Sequence, residues 1–279
     1  MFAPFLSRLV PSALTVMLAA SLAPAFSAHA ASSDWALNEG GRMRLVVLPA
    51  DAEGRRQAVL QIEPEPGWIT YWREPGDSGV PPAVTMAPSG GFALERIDFP
   101  VPKRIDAGGL TDIGYDHAVA LPLSLSGPPA GQGATLEATA FIGLCKNICI
   151  PFQAALAVNL PVNEAADADE ARIVADALES LPAKAAPDFA VERHAISADL
   201  KRLTLEVSLP EGAKEAQAII TGPSGYVFFA STSAPGAGGK TVIEVPIGHL
   251  PKNYAITGKR WDALVIAGGR AIETVLAFD

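Results

Sequence analysis

From Thr135 to Leu160 apolar and polar positions alternate in two runs. Leu136, Ala138, Ala140, Ile142 and Leu144 share one parity, while Thr135, Glu137, Thr139 and Gly143 share the other, with Phe141 the exception. Ile150, Phe152, Ala154, Leu156, Val158 and Leu160 then stand on one parity against Gln153 and Asn159. A period of two predicts half-buried strands, and the three residues Lys146 to Ile148 between the runs predict a hairpin. Folding it about Asn147 sets Cys145 opposite Cys149, Leu144 opposite Ile150, Ile142 opposite Phe152 and Gly143 opposite Pro151. Apolar then meets apolar, and both cysteines fall on the other, non-core face. Pro151 has no N–H for a ladder, so its pair and the 145/149 pair, which has the same phase, are expected at non-hydrogen-bonded positions. Cα atoms are roughly 4.5 Å apart there, at the short end of the roughly 4.4–6.8 Å that a disulfide spans. A helix would also bring i and i+4 cysteines together, but the β-rich flanks and Pro151 favour the hairpin.

Elsewhere the pattern predicts strands at 42–48, 57–63, 92–99 and 118–125. Trp68, Tyr71 and Trp72 form an aromatic cluster that reads either as a core edge or as a wall beside the cysteines, and Pro75-Gly76 signals a turn. Asp106 to Tyr115 reads as a Gly-rich loop, either an ordinary connection or a cover for the pair. Ile173, Val174, Ala177, Leu178 and Leu181 recur at helical spacing and are stopped by Pro182 and Pro187. Alternation returns at Leu203, Leu205, Val207 and Leu209 and at Thr241, Ile243, Val245 and Ile247, and Ala267-Gly268-Gly269-Arg270 reads as a terminal hairpin turn. The expected architecture is all-β. One β-sandwich spans 32–162, a short helix and linker span 163–188, and a second β-sandwich spans 189–279.

Residues 1–30 change that picture only by preceding it. Arg8, an apolar stretch from Leu9 to Phe26 and Ala28-His29-Ala30 read as a cleaved secretory signal. No later segment offers ~20 uninterrupted apolar residues, so no stable membrane insertion is expected after cleavage. Removing the leader takes away Arg8 and no acid, moving the formal charge from −9 to −10, and no basic run remains, which argues against nucleic acid. Export to an oxidising compartment permits the two cysteines, the only ones in the chain, to form a disulfide.

Three segments, Tyr71-Trp-Arg-Glu-Pro-Gly-Asp-Ser-Gly79, Thr111-Asp-Ile-Gly-Tyr115 and Cys145-Lys-Asn-Ile-Cys-Ile-Pro151, together resemble the periplasmic N-terminal domain of DsbD-type thiol:disulfide interchange proteins. The form found in the suppressor-of-copper-sensitivity B (ScsB) proteins is the nearest. The resemblance covers most of 35–162, and the later half is similar, with looser motifs, to the second β-domain of ScsB-like members. It implies immunoglobulin-like sandwiches in the periplasm and an association with cytochrome c biogenesis or copper tolerance. It also implies a catalytic pair, Cys145 and Cys149, with no cofactor. That pair would take electrons from a membrane-embedded DsbD/CcdA-like donor and pass them to oxidised periplasmic thioredoxin-like proteins. Longer members carry a membrane domain and a thioredoxin-like domain in the same chain, and neither is read in these 279 residues. Some members cover a wider-spaced pair with a Phe-bearing cap loop. The corresponding segment here, 106–115, has no Phe, which leaves Ile113 and Tyr115 as the cap or wall candidates beside Tyr71 and Trp72.

Exchange needs a thiolate to attack a disulfide sulfur and a second thiol to resolve the mixed disulfide, and two neighbouring cysteines supply both. Lys146 would favour a thiolate, whereas Asp106 or Asp112, if near, would oppose it. The family resemblance points to Cys149 as the attacking residue. A purely structural bond would close a loop of about five residues and remove about 2 kcal/mol of unfolded-state freedom, against roughly 4.7 for a 100-residue loop. The other rival readings are a Cu(I) site built on the two sulfurs and a non-enzymatic adaptor whose β-domains only bind a partner.

Overall fold

The computed structural model describes residues 31–279 except 77, 108, 166 and 224. The expected leader, 1–30, lies outside the described residues. The chain is predominantly β, with a single α-helix among the described residues.

In the first half, a sheet orders the strands Ala31–Ser32, Gly41–Val47, Arg55–Pro64, Val119–Ser126 and Ala93–Ile97, with Ala36–Asn38 paired to Gly41–Val47. A second sheet orders Cys149–Leu160, Ala134–Cys145 and Ala83–Met86. The alternating positions of the cysteine hairpin explain how the two meet. Leu136, Ala140, Ile142, Leu144, Phe152, Leu156 and Val158 bury one face of the hairpin against Leu45, Leu60, Leu121 and Leu123.

The first sheet is covered on its outer face too, which is why its strands carry unbroken apolar runs, Leu45-Val46-Val47 and Ala58-Val59-Leu60. Val46 and Val59 pack against Val174 and Ala177 of the helix Ala168–Glu179. Asp167 caps that helix, its side chain accepting from the N–H groups of Asp169 and Glu170. Just before the helix, Glu164 meets Arg56 in an ion pair whose side chains are 5% and 1% exposed. Arg56 also donates to the Pro128 carbonyl at 3.1 Å, and the Ala50 N–H donates to Glu164 at 3.3 Å. The connecting segment is therefore fastened to the first half at Glu164 and through the helix.

A third sheet orders Thr70–Gly76, Leu110–Tyr115 and Lys103–Ala107. The segment 106–115, expected as a Gly-rich loop, belongs to this hairpin, with Ala107 paired to Leu110. Gly109, with a φ of 84°, supplies the left-handed backbone that so tight a turn needs.

The second half forms one sheet of Ala183–Lys184, Arg270–Phe278, Lys259–Ala267, Gln217–Thr221 and Val227–Phe228. Another contains Ala190–Ile196, Arg202–Ser208, Thr241–Pro246 and Thr232–Pro235. Its core centres on Trp261, whose ring lies 5.7 Å from that of Phe228 and 5.3 Å from that of Phe278. The expected terminal turn is present, Gly268 and Gly269 both having positive φ between Ala267 and its partner Arg270.

The halves touch. Ile219 and Leu264 join the core of the first half. Arg73 pairs with Glu273, the Gly225 N–H donates to Glu74 at 3.2 Å, and the Arg104 guanidinium lies 5.3 Å from the centre of the Phe229 ring.

Candidate functional site

The hairpin register matches the alternation, with Cys145 opposite Cys149, Leu144 opposite Ile150, Gly143 opposite Pro151 and Ile142 opposite Phe152. The cysteines form a disulfide with their Cα atoms 4.1 Å apart. The phase of the ladder is fixed on the other side of the Ala134–Cys145 strand. The Cys145 N–H donates to the Ile69 carbonyl at 3.0 Å and the Ile69 N–H to the Cys145 carbonyl at 2.8 Å. Both polar groups of Cys145 thus point away from Cys149, and the two form a non-hydrogen-bonded pair.

The expectation that both cysteines stand free on the non-core face needs correction. Cys145 is 6% exposed, whereas Cys149 is exposed. Side-chain parity assigns a face, but it does not say what lies on that face, and here Tyr71 does. The tyrosine is fully buried, with its ring lodged between Gly143 and Gly79. A Cβ on Gly79 would stand 2.3 Å from the ring, and one on Gly143 would stand 3.0 Å from it. Both positions therefore have to be small for the ring to lie flat under the hairpin head. The Tyr71 hydroxyl reaches 3.6 Å from the Cys149 sulfur, within reach of a sulfur hydrogen bond.

Burial, and then the charge of Asp112, push the Tyr71 hydroxyl up to about 12. It therefore keeps its proton at neutral pH, and Asp112 and any charge that develops on Cys149 compete for that single proton. Asp112 is 8% exposed and accepts from the Ser78 N–H at 3.1 Å and from the Ser78 hydroxyl at 2.9 Å. This carboxylate acts on the Tyr71 hydroxyl, whereas the sequence suggested that it would act directly on a thiol. Ser78 and Gly79 were legible only as part of a loop. Their roles, holding Asp112 and making room for the ring, depend on contacts across 34 residues and on ring packing.

The other candidates lie as follows. Ile113 and Tyr115 are 0% and 1% exposed and belong to the core, the Tyr115 hydroxyl donating to the Pro100 carbonyl at 2.9 Å. Trp72 is also a core residue, with the Arg73 guanidinium 4.0 Å from its ring centre. The exposed Lys146 sends its ammonium to the Pro66 carbonyl at 3.3 Å. Asp106 sits at the surface, held below the usual carboxylate range by the Thr111 hydroxyl and Arg104. Of these candidates, Tyr71 is the side chain brought to a sulfur of the pair.

Among the described residues no group of three or more His, Cys, Asp or Glu is placed to hold a metal ion, and no helix is long and apolar enough to cross a membrane. Chemically, the site offers one accessible sulfur, a second sulfur behind it as leaving group or resolving thiol, and a neutral hydroxyl donor beside the first.

No curated protein sequence matches the chain. Among solved structures, the N-terminal periplasmic domain of ScsB from Proteus mirabilis superposes with a TM-score of 0.70 at 22% identity, covering 89% of this chain and 99% of that one, so the two share a fold. Residues 44–161 match the family described as thiol:disulfide interchange protein DsbD, N-terminal. The three motifs and both cysteines fall inside that segment.

Proposed function

We propose that the protein is a periplasmic thiol:disulfide carrier built on two immunoglobulin-like sandwich domains, 32–162 and 189–279, exported by the leader 1–30. Cys145 and Cys149 take two electrons from a membrane-embedded DsbD/CcdA-like dithiol and deliver them to oxidised thioredoxin-like proteins. The observation that carries this reading is the asymmetry of the pair: Cys149 is exposed, with its sulfur beside the Tyr71 hydroxyl, and Cys145 is buried. A donor thiolate attacks the Cys149 sulfur, the Cys145–Cys149 bond breaks, and Cys145 leaves as the thiolate. The donor's second thiol then releases Cys149, leaving the donor oxidised and the pair reduced. Delivery to the acceptor runs in reverse order, with Cys149 attacking and Cys145 resolving.

The test is acid quenching and thiol alkylation of cells that contain or lack the membrane donor. The pair should be at least partly reduced with the donor and oxidised without it. In the same cells Cys145→Ser should accumulate mixed disulfides through Cys149, and Cys149→Ser should accumulate far fewer. A pair fully oxidised in both strains would return the structural bond to first place.

A further inference from the structure

The strand that begins at Cys149 is the last in its sheet. Cys149–Leu160 pairs with Ala134–Cys145 and with no other strand among the described residues. The ladder phase shows which of its backbone groups are unpaired. Cys145 is bonded to Ile69, and the Glu137 carbonyl accepts from Ala87, so odd positions of the inner strand point away from the hairpin partner. By the same phase the backbone groups of Cys149, Pro151, Gln153, Ala155, Ala157 and Asn159 point outward from the sheet edge. Pro151, which has no N–H to offer, occurs in this outward set, where its lack costs no ladder bond. All six residues are exposed.

Long edges of this kind are ordinarily blunted by charge, proline or a bulge. This one, Cys-Ile-Pro-Phe-Gln-Ala-Ala-Leu-Ala-Val-Asn-Leu, has no charged residue in 12 and a single proline, which withholds one outward N–H at 151 and leaves those of Cys149, Gln153 and Ala155. Near Leu160 it opens into a groove whose other wall is Ala31, Ser32 and Asp34. An open, uncharged edge that starts at the accessible sulfur is continuous with the reactive site.

We propose that this edge docks the redox partner by strand addition: an extended, cysteine-bearing segment of the partner pairs antiparallel with Cys149–Ala155 and brings its own sulfur beside Cys149. This inference rests on the carrier reading and names how its partners are recognised. Cys149 presents both backbone groups outward, so its new neighbour sits in a hydrogen-bonded pair with Cα atoms about 5.5 Å apart, near the centre of the range a disulfide spans. A partner thiolate in register attacks the Cys149 sulfur, forming the interchain bond, while the electron pair of the Cys145–Cys149 bond leaves on Cys145. The partner's second thiol, or Cys145 in the reverse direction, resolves the intermediate. Main-chain bonds to Gln153 and Ala155 supply affinity without demanding a particular side-chain sequence, as a carrier with a donor and an acceptor requires.

The test uses the full mature chain and three reduced thiols. The first is a capped peptide alternating threonine and valine around one cysteine, the second is the same peptide with prolines flanking the cysteine, and the third is glutathione. The rate of reduction of the Cys145–Cys149 bond is read for each. The strand-forming peptide should outpace the proline peptide about tenfold after correction for thiol pKa, as a few main-chain bonds would give. Gln153→Pro and Ala155→Pro, each removing one outward N–H at a phase where Pro151 is already accommodated, should collapse the peptide-to-glutathione rate ratio toward one. Equal rates for the two peptides on the wild-type protein overturn the proposal without any variant, as does an advantage that survives both prolines. If the pair resists all three thiols in the folded protein, the carrier reading itself fails and takes the docking edge with it.

Discussion

The Tyr71 hydroxyl and the Cys149 sulfur, 78 residues apart in sequence, stand 3.6 Å apart. The hydroxyl keeps its proton to about pH 12, so it faces a Cys149 thiolate as a neutral donor. Tyr71→Phe removes that donor and, with it, the hydroxyl's contacts to Ser78 and Asp112. The variant should raise the Cys149 thiol pKa by about one unit, the worth of one hydrogen bond to a charge, and slow attack by Cys149 near neutrality about threefold, the tenfold loss of thiolate being partly offset by its greater nucleophilicity. The pH dependence of alkylation of the reduced protein reads the shift. An unchanged profile would mean that the hydroxyl does not act on the sulfur.

Gly79→Ala tests the seat of the ring. The added methyl would fall 2.3 Å from the Tyr71 ring and 2.5 Å from Pro75, so one of them has to move. We expect a loss of about 1–3 kcal/mol in stability by denaturant unfolding, together with a change in alkylation rate at Cys149. Gly109→Ala, with no atom within 4 Å of its new methyl but a φ of 84°, is the comparison that carries backbone strain without the clash.

Arg56 and Glu164 predict a non-additive pair. Glu164→Ala leaves a guanidinium 1% exposed without its carboxylate and should destabilise by about 3–5 kcal/mol. Replacing both with apolar residues of similar size, Arg56→Met with Glu164→Leu, should recover most of that loss. Equilibrium unfolding of the single and double variants checks the coupling.

Asp116 predicts a shallow acid limb. Lys103 Nζ and His117 Nδ1, each 2.8 Å from its carboxylate, hold Asp116 at about 2. The folded value lies below the unfolded one, so the stability it contributes is complete above about pH 5 and is lost as pH falls through about 2. The group is solvent-exposed, so the contribution is under about 1 kcal/mol. Unfolding midpoints of Asp116→Asn and the wild type should differ at pH 7 and converge near pH 2.

The hairpin was legible because alternation on both sides of a three-residue turn, broken only at Phe141, admits one register. The helix was legible from Val174 and Ala177, although the surface it covers is signalled only by the unbroken Leu45-Val46-Val47 run. The 106–115 hairpin was missed because its alternation is weak and the Gly108-Gly109 sequence reads equally as a loop. The burial of Cys145 was missed for a different reason. Parity places a side chain on a face, but it does not show that the Tyr71 ring lies on that face beside Gly143, or that Ile69 pairs with Cys145. No local pattern encodes a contact of that range.

The Thr70–Gly76 strand has a consequence for the integrity of the molecule. Tyr71 reaches the disulfide, and two residues on Arg73 is fixed by Glu273, 200 residues further along the chain. A chain clipped before Glu273 keeps both cysteines and the hairpin that joins them. It loses the carboxylate that anchors the strand carrying the donor hydroxyl. Full-length and clipped molecules would thus present the same two sulfurs with different reactivity, and a thiol assay could tell them apart where a count of cysteines could not.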